Sequence, residues 1–358
     1  YEIGLLNLTT DKKGNEPLTN FSVLRTKYDI LGHSYIGAII TDKETKNSFN
    51  RSIGADFELS FDKFLGDKNL IITSRIAKTF ERNNPKNTWA GFFSIDYPNE
   101  VIDQYFSYNF YQNNFNPAMG FIDQTGIQQY YYSLKVSPRI NKYYIRKLSL
   151  NPFDMGLHYD KNNELQHAYF YTQPIGFVTE GGESFYISGE RVFDNVKKSF
   201  VIFDTTEVTA GKYWYTTFYS GIKSSTSNAI YGELAVEMGE FYNGDKKTYS
   251  FNLTSVFNKH LIFEGDLEYN NISLNNNKIK TYEFGGRLKY NVSTQWLTSL
   301  FCQWNNELDE INLNYRINWK PKLGSDFYLV INHLLDTKSV IKTKDFVILA
   351  KFTWLFII

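Results

Sequence analysis

The sequence predicts an all-β protein, a transmembrane antiparallel outer-membrane β-barrel of about 20 strands. Three observations lead there. Residues 311–319 read Ile-Asn-Leu-Asn-Tyr-Arg-Ile-Asn-Trp, apolar at every second position and polar between, and this beat returns along nearly the whole chain. Strict alternation describes a strand whose two faces meet different surroundings. Mean hydropathy is only −0.39, although 42% of the 358 residues are hydrophobic, and no long apolar run exists. A helical membrane protein needs runs of about 20 apolar residues, whereas a barrel hides them at alternate positions. Aromatic residues make up 18% of the chain, with 27 Tyr and 30 Phe, and they recur towards the ends of the apolar faces.

Turn and loop signals divide the chain in a regular order. Short turns are predicted at 32–33, 66–67, 98–100, 139–141, 258–260, 291–295 and 320–326. Longer polar connections are predicted at 10–17, 81–87, 113–126, 193–211, 243–247, 270–277 and 336–344. The two sets alternate, as short periplasmic turns and longer outer loops do in bacterial barrels, which places both termini on the periplasmic side. The last strand is predicted over 346–358, with Phe346, Ile348, Ala350, Phe352, Trp354, Phe356 and Ile358 on one face.

The faces follow from the same alternation. Phe263, Leu267, Phe284, Leu288, Leu313, Ile317 and Phe352 are expected to face outer-membrane lipid. A charge on that face near the bilayer centre costs about 2–4 kcal/mol, so the charged positions must line the lumen. Those candidates are Arg25, Lys27, Asp56, Glu58, Arg75, Glu233, Glu237, Glu264, Asp266, Glu268, Glu283, Arg287 and Arg316. Tyr282 and Tyr290 are eight residues apart on the apolar face, as are Trp296 and Trp304. Eight strand residues span roughly 27 Å, or roughly 21 Å of depth at a tilt of about 40°, close to the separation of two aromatic girdles.

Other chemistries find little support. Formal net charge is zero, which argues against a nucleic-acid partner. The single cysteine, Cys302, alternates with Trp296 and Trp304 and reads as a lipid-facing residue. The five histidines are scattered; His158 and His167 flank a short turn and are placed to face one another, but two histidines without a third ligand are weak evidence for a metal. No nucleophile elbow, phosphate loop or calcium loop occurs, so no catalytic, cofactor or metal residue is assigned and no enzymatic activity is expected. No signal peptide is seen; Tyr1 already sits in a strand-like run, as in a mature or truncated chain.

A barrel this wide would be a poor barrier if it stood open, and no segment of plug-domain size is present. The expectation is an inward-folded outer loop, with 193–211 and 113–126 the best candidates, or a plug or partner protein in the lumen.

Several stretches resemble a family of Bacteroidota outer-membrane proteins. They are Tyr1-Glu-Ile-Gly-Leu-Leu-Asn-Leu-Thr, the run from Asn20 to Ala38, Gly54-Ala-Asp56, Phe115-Asn-Pro-Ala-Met-Gly-Phe121 and Lys351-Phe-Thr-Trp-Leu-Phe. That family pairs an N-terminal, family-9-like carbohydrate-binding domain with a C-terminal barrel, the domain of unknown function 5916. An Arg usually follows the family's Gly-Phe closely, where this chain has Ile122-Asp123. The resemblance implies that residues 1–358 are one barrel domain from the C-terminal part of a longer protein, with further strands upstream. It also implies glycan handling at the cell surface. The functional expectation is a non-enzymatic barrel for solute passage or binding, with a glycan as the candidate solute. The alternative is a scaffold barrel within a larger secretion or uptake complex.

Overall fold

The structure is a computed structural model, and it describes residues 1–83, 85–202 and 206–356. Parts of the predicted 81–87 and 193–211 loops, and Ile358 of the predicted last strand, lie outside those residues. Among the described residues there is no helix; 74% of the chain is strand.

The strands are β1 (Glu2–Thr10), β2 (Thr19–Ile30), β3 (Ser34–Thr45), β4 (Phe49–Phe64), β5 (Lys68–Glu81), β6 (Trp89–Pro98), β7 (Ile102–Tyr111) and β8 (Ile127–Val136). Next come β9 (Arg139–Lys142), β10 (Ile145–Leu148), β11 (Leu150–Asp160), β12 (Leu165–Thr179), β13 (Ser184–Val196), β14 (Phe200–Ile202), β15 (Thr206–Val208) and β16 (Gly211–Lys223). The chain continues through β17 (Ile230–Phe241), β18 (Gly244–Val256), β19 (Leu261–Leu274), β20 (Asn277–Asn291), β21 (Trp296–Asn305), β22 (Glu310–Lys322), β23 (Ser325–Asp336) and β24 (Lys342–Thr353).

Twenty of these strands form one antiparallel meander, β1–β8, β11–β13 and β16–β24, each paired with the next. The short β9 and β10 join the same sheet, making 22 strands, and β14–β15 is a separate hairpin. Among the described residues β1 pairs only with β2 and β24 only with β23, so the sheet is open at these two edges.

Register partners share a face of the sheet, and the two faces separate cleanly. On one, Phe263, Leu288, Leu300, Tyr315, Ile331 and Ile348 form a continuous rung across six strands. The same face carries rings in contact along two rows. Tyr249, Tyr269 and Tyr282 lie 6.1 and 4.9 Å apart towards one end, and Trp296 stacks on Trp319 at 5.3 Å towards the other. The opposite rung, Glu264, Arg287, Phe301, Asn314 and Asn332, is polar apart from Phe301, over which the Arg287 guanidinium lies at 4.9 Å. All thirteen charged residues singled out from the sequence lie on this charged face.

The apolar face is uncovered: Leu24, Ile53, Phe218, Leu234, Phe284, Leu300 and Phe352 are all exposed. Total accessible surface is 22802 Å² for 41.8 kDa, against about 15,000 Å² expected of a compact soluble chain of that mass.

Several boundaries differ from those predicted. The 243–247 and 270–277 segments are not loops. β17–β18 and β19–β20 run on to two-residue turns, the latter through Asn275 and Asn276, both at positive φ. Their polar residues belong to strand ends, where Asn270 accepts a 2.6 Å hydrogen bond from the Thr248 hydroxyl. The short turn expected at 139–141 is instead the β9–β10 hairpin, and β10 pairs with Phe177, Val178 and Thr179 at the end of β12. β24 stops at Thr353, beyond which the Leu355 amide donates to Ser325 Oγ at 3.0 Å in place of a backbone carbonyl.

Candidate functional site

Both long connections on the side of the sheet that carries the β1–β2 loop fold onto the charged face. The first, 112–126, joins β7 to β8 yet crosses back over β6 to β4 and β5. Asn50, buried on β4, makes the anchor. Its side-chain amide donates to the Asn116 carbonyl at 2.7 Å and to Glu81 Oε1 at 2.9 Å, while its Oδ1 accepts from the Ala118 amide at 3.1 Å. The Asn116 amide donates to Thr79 Oγ1 at 3.2 Å, and Asn116 Nδ2 to Glu81 Oε1 at 2.6 Å. The loop re-enters β8 through Gly126, at φ 71°, where an added Cβ would sit 2.6 Å from Asn113 Oδ1. Phe115 is buried beside Tyr111, their rings 6.3 Å apart.

The second connection carries β14 and β15. Val208 packs against Ile272 and Leu274, with Val196, Tyr213, Phe241, Tyr242 and Ile279 around them. Asn275 Nδ2 donates to the Glu207 carbonyl at 2.6 Å. At the foot of this loop Glu164 accepts from Lys197 Nζ at 2.6 Å, Lys212 Nζ at 3.2 Å and Asn195 Nδ2 at 3.1 Å. The Lys197 and Lys212 ammonium groups hold its carboxyl well below the usual range, at about 2.

Beneath the first loop is a cavity of about 590 Å³. Phe115, Pro117 and Phe121 form its roof. Gly54, Ala77 and Ala90, successive register partners on β4, β5 and β6, keep its floor low. One wall is charged. Arg25 on β2 reaches over β3 and grips Asp56 on β4 bidentately, with Nη2 2.7 Å from Oδ2. The strand between presents Gly37 at that rung, and a Cβ there would stand 2.6 Å from the guanidinium. Arg75, the register partner of Asp56 on β5, is exposed and lies over the Phe92 ring at 5.2 Å.

The structure thus brings Arg25, Asp56 and Arg75 together and leaves the other predicted residues apart from them. Lys27 sits over Tyr35 at 4.4 Å and is 3.8 Å from Asp29. Glu58 is one rung further from the loop, between Tyr35 and Thr73. Across the sheet, Glu237 pairs with Lys246 at 3.3 Å, and Glu233 faces Lys223 and Asn252 in register. Glu264 holds Lys289 at 2.5 Å and Arg287 at 3.9 Å, and Asp266 lies over Gly285. Glu268 and Glu283 are direct cross-strand partners, each relieved by an amide, Asn270 Nδ2 and Gln303 Nε2, at 2.8 Å. Arg316 donates to Asn314 Oδ1 at 2.6 Å.

Sequence reasoning missed a set of tyrosine–carboxylate pairs in the middle of the charged face. Tyr131 donates to Asp154 at 3.1 Å, Tyr219 to Glu190 at 3.0 Å and Tyr215 to Asp194 at 2.7 Å, and Asp194 also holds His167 Nδ1 at 2.7 Å. The even spacing of Glu190 with Asp194 and of Tyr215 with Tyr219, each pair on one face of its strand, was the available signal. His158 and His167 are cross-strand partners, but among the described residues no group of three metal-binding side chains forms.

No protein-family model matches the chain, and no curated protein matches it. The resemblance given above therefore stands on the quoted residues alone.

Proposed function

We propose that the chain is an outer-membrane β-barrel, non-enzymatic, that passes or binds solutes at the surface of a Gram-negative cell. The observation that carries this reading is the uncovered apolar face. Side chains such as Leu234, Phe284 and Leu300 stand exposed on strand after strand, while the other face holds the charges. In water such a surface would associate; hydrocarbon covers it at no cost. The two rows of rings across the apolar face fit aromatic girdles at the two interfaces. No helix of the described residues is long and apolar enough to cross a membrane. On this reading the charged face lines a hydrated lumen, and the two inward loops narrow its outer mouth. A glycan solute, the Bacteroidota origin and the domain of unknown function 5916 follow from the resemblance, not from the geometry.

The inward loops also favour a second reading, a scaffold barrel within a larger complex, since they reduce the open cross-section. Reconstitution separates the two. The chain is inserted into planar bilayers and vesicles containing brominated lipid. Quenching of tryptophan fluorescence together with discrete conductance supports passage. Quenching without conductance favours the scaffold, and absence of quenching overturns the membrane reading.

A further inference from the structure

The cavity beneath loop 112–126 has an uneven charge. Two guanidiniums line it, Arg25 and Arg75, against the single carboxylate of Asp56. Asp56 is committed to Arg25 through both oxygens. Arg75 has no hydrogen-bond or ion-pair partner among the described residues. Its guanidinium lies over the Phe92 ring, 5.2 Å from the centroid, a contact that occupies none of its N–H donors. The nearest other carboxylate on β4, Glu58, lies one rung further from the roof and makes no ion pair. Overhead, Phe121 is 87% exposed, an aromatic ring with nothing packed on it. The volume, about 590 Å³, falls within the range of small-molecule sites.

We infer that this cavity binds a small organic anion, a carboxylate joined to a flat or apolar body. The carboxylate takes the free fork of Arg75, whose geometry matches it in two parallel N–H···O bonds. The body lies between the Phe121 ring and the low floor of Gly54, Ala77 and Ala90. Asp56 keeps Arg25 engaged and so leaves one net positive charge for the ligand. An aromatic acid and a uronic acid share this chemistry. The inference deepens the reading of the chain as a solute-handling barrel by naming the solute class. It rests on that reading only for access from water, because loop 112–126 and strands β2–β7 alone build the cavity.

The test is calorimetric titration of the full chain in detergent micelles, which needs no bilayer. The probes are benzoate and glucuronate, with benzamide and glucose as their neutral counterparts. Both acids, or one, should bind at least tenfold more tightly than the neutral counterpart, and binding should weaken as salt rises. Whichever acid binds tighter identifies the body. Arg75→Gln should cost a further tenfold or more, and Arg75→Lys an intermediate loss, since an ammonium keeps the charge but not the fork. Amide exchange at Asn116 and Ala118 shows whether each variant keeps its loop docked. Equal binding of neutral and acidic probes, no binding of any probe, or full affinity in a docked Arg75→Gln protein overturns the inference. Failure to insert into bilayers would overturn the membrane reading and leave this result untouched.

Discussion

Arg25 and Asp56 are joined by two hydrogen bonds although a whole strand separates them, because Gly37 leaves the space between them empty. Replacing glycine in a strand by valine ordinarily gains about 0.5–1 kcal/mol. Here the added side chain displaces the guanidinium, and Asp56, whose side chain is only 12% exposed, loses its partner at about 1–3 kcal/mol. The second effect outweighs the first. Gly37→Val should lower stability in chemical denaturation, and the Arg25→Met background should abolish most of the difference.

Asn50 makes three of the hydrogen bonds that centre on the docking of loop 112–126, beside those of Asn116 to Thr79 and Glu81. Asn50→Ala removes three hydrogen bonds at a buried site and should cost about 1–3 kcal/mol locally. Cleavage by a broad-specificity protease should then appear within residues 113–125, with the sheet intact. An unchanged digestion pattern would show that Asn116 and Phe115 hold the loop without Asn50.

Leu300 and Gln303 sit on opposite faces of β21. Leu300→Arg should cost about 2–4 kcal/mol when the chain folds into a bilayer. Gln303→Arg should be mild, since Gln303 already contacts Glu283 at 2.8 Å and an arginine there gains an ion pair. Similar losses at both positions in a folding titration would refute the assignment of faces.

Glu164 should give the β14–β15 loop an acid sensitivity. Its folded pKa, about 2, lies below the unfolded value of about 4.3. Its contribution is therefore complete above about pH 5 and is lost as pH falls towards 2. Amide protection at 206–208, corrected for intrinsic exchange, should fall over that window and become flatter in Glu164→Gln.

Cys302 is exposed on the apolar face, so lipid should shield it. A charged maleimide should label it slowly in vesicles. A cysteine replacing Arg316, with Cys302→Ser, should react quickly. Rapid labelling of Cys302 in vesicles would place that face in water.

Much of the fold was legible because a strand with unlike faces writes its period into the sequence. Phe263, Glu264 and Leu267 announce their faces by type alone, and the spacing of turn signals gave a meander of about 20 strands. Boundaries failed where the period misled or carried no information. At 270–274 the usual faces are reversed, with Ile272 and Leu274 turned inward under Val208 and the polar Asn271 and Ser273 outward, so Asn-Asn-Ile-Ser-Leu reads as loop although it is strand. The β9–β10 hairpin is decided by pairing with the end of β12, which local sequence does not encode. For the candidate site, the charges Arg25, Asp56 and Arg75 were visible one at a time. Their convergence depends on Gly37 and Asn50. A lone glycine inside the alternating run Tyr35–Ile39 was the one hint that another side chain passes close by.

The open edges have a consequence for counting. β1 starts at the end of the sheet where β24 finishes, so the two run in opposite directions. Laid side by side, they already satisfy antiparallel pairing. One additional strand between them would have to run parallel to one of its two neighbours; two would restore the alternation. A hairpin is thus the smallest unit that can be spliced into this seam, and any larger addition grows by hairpins.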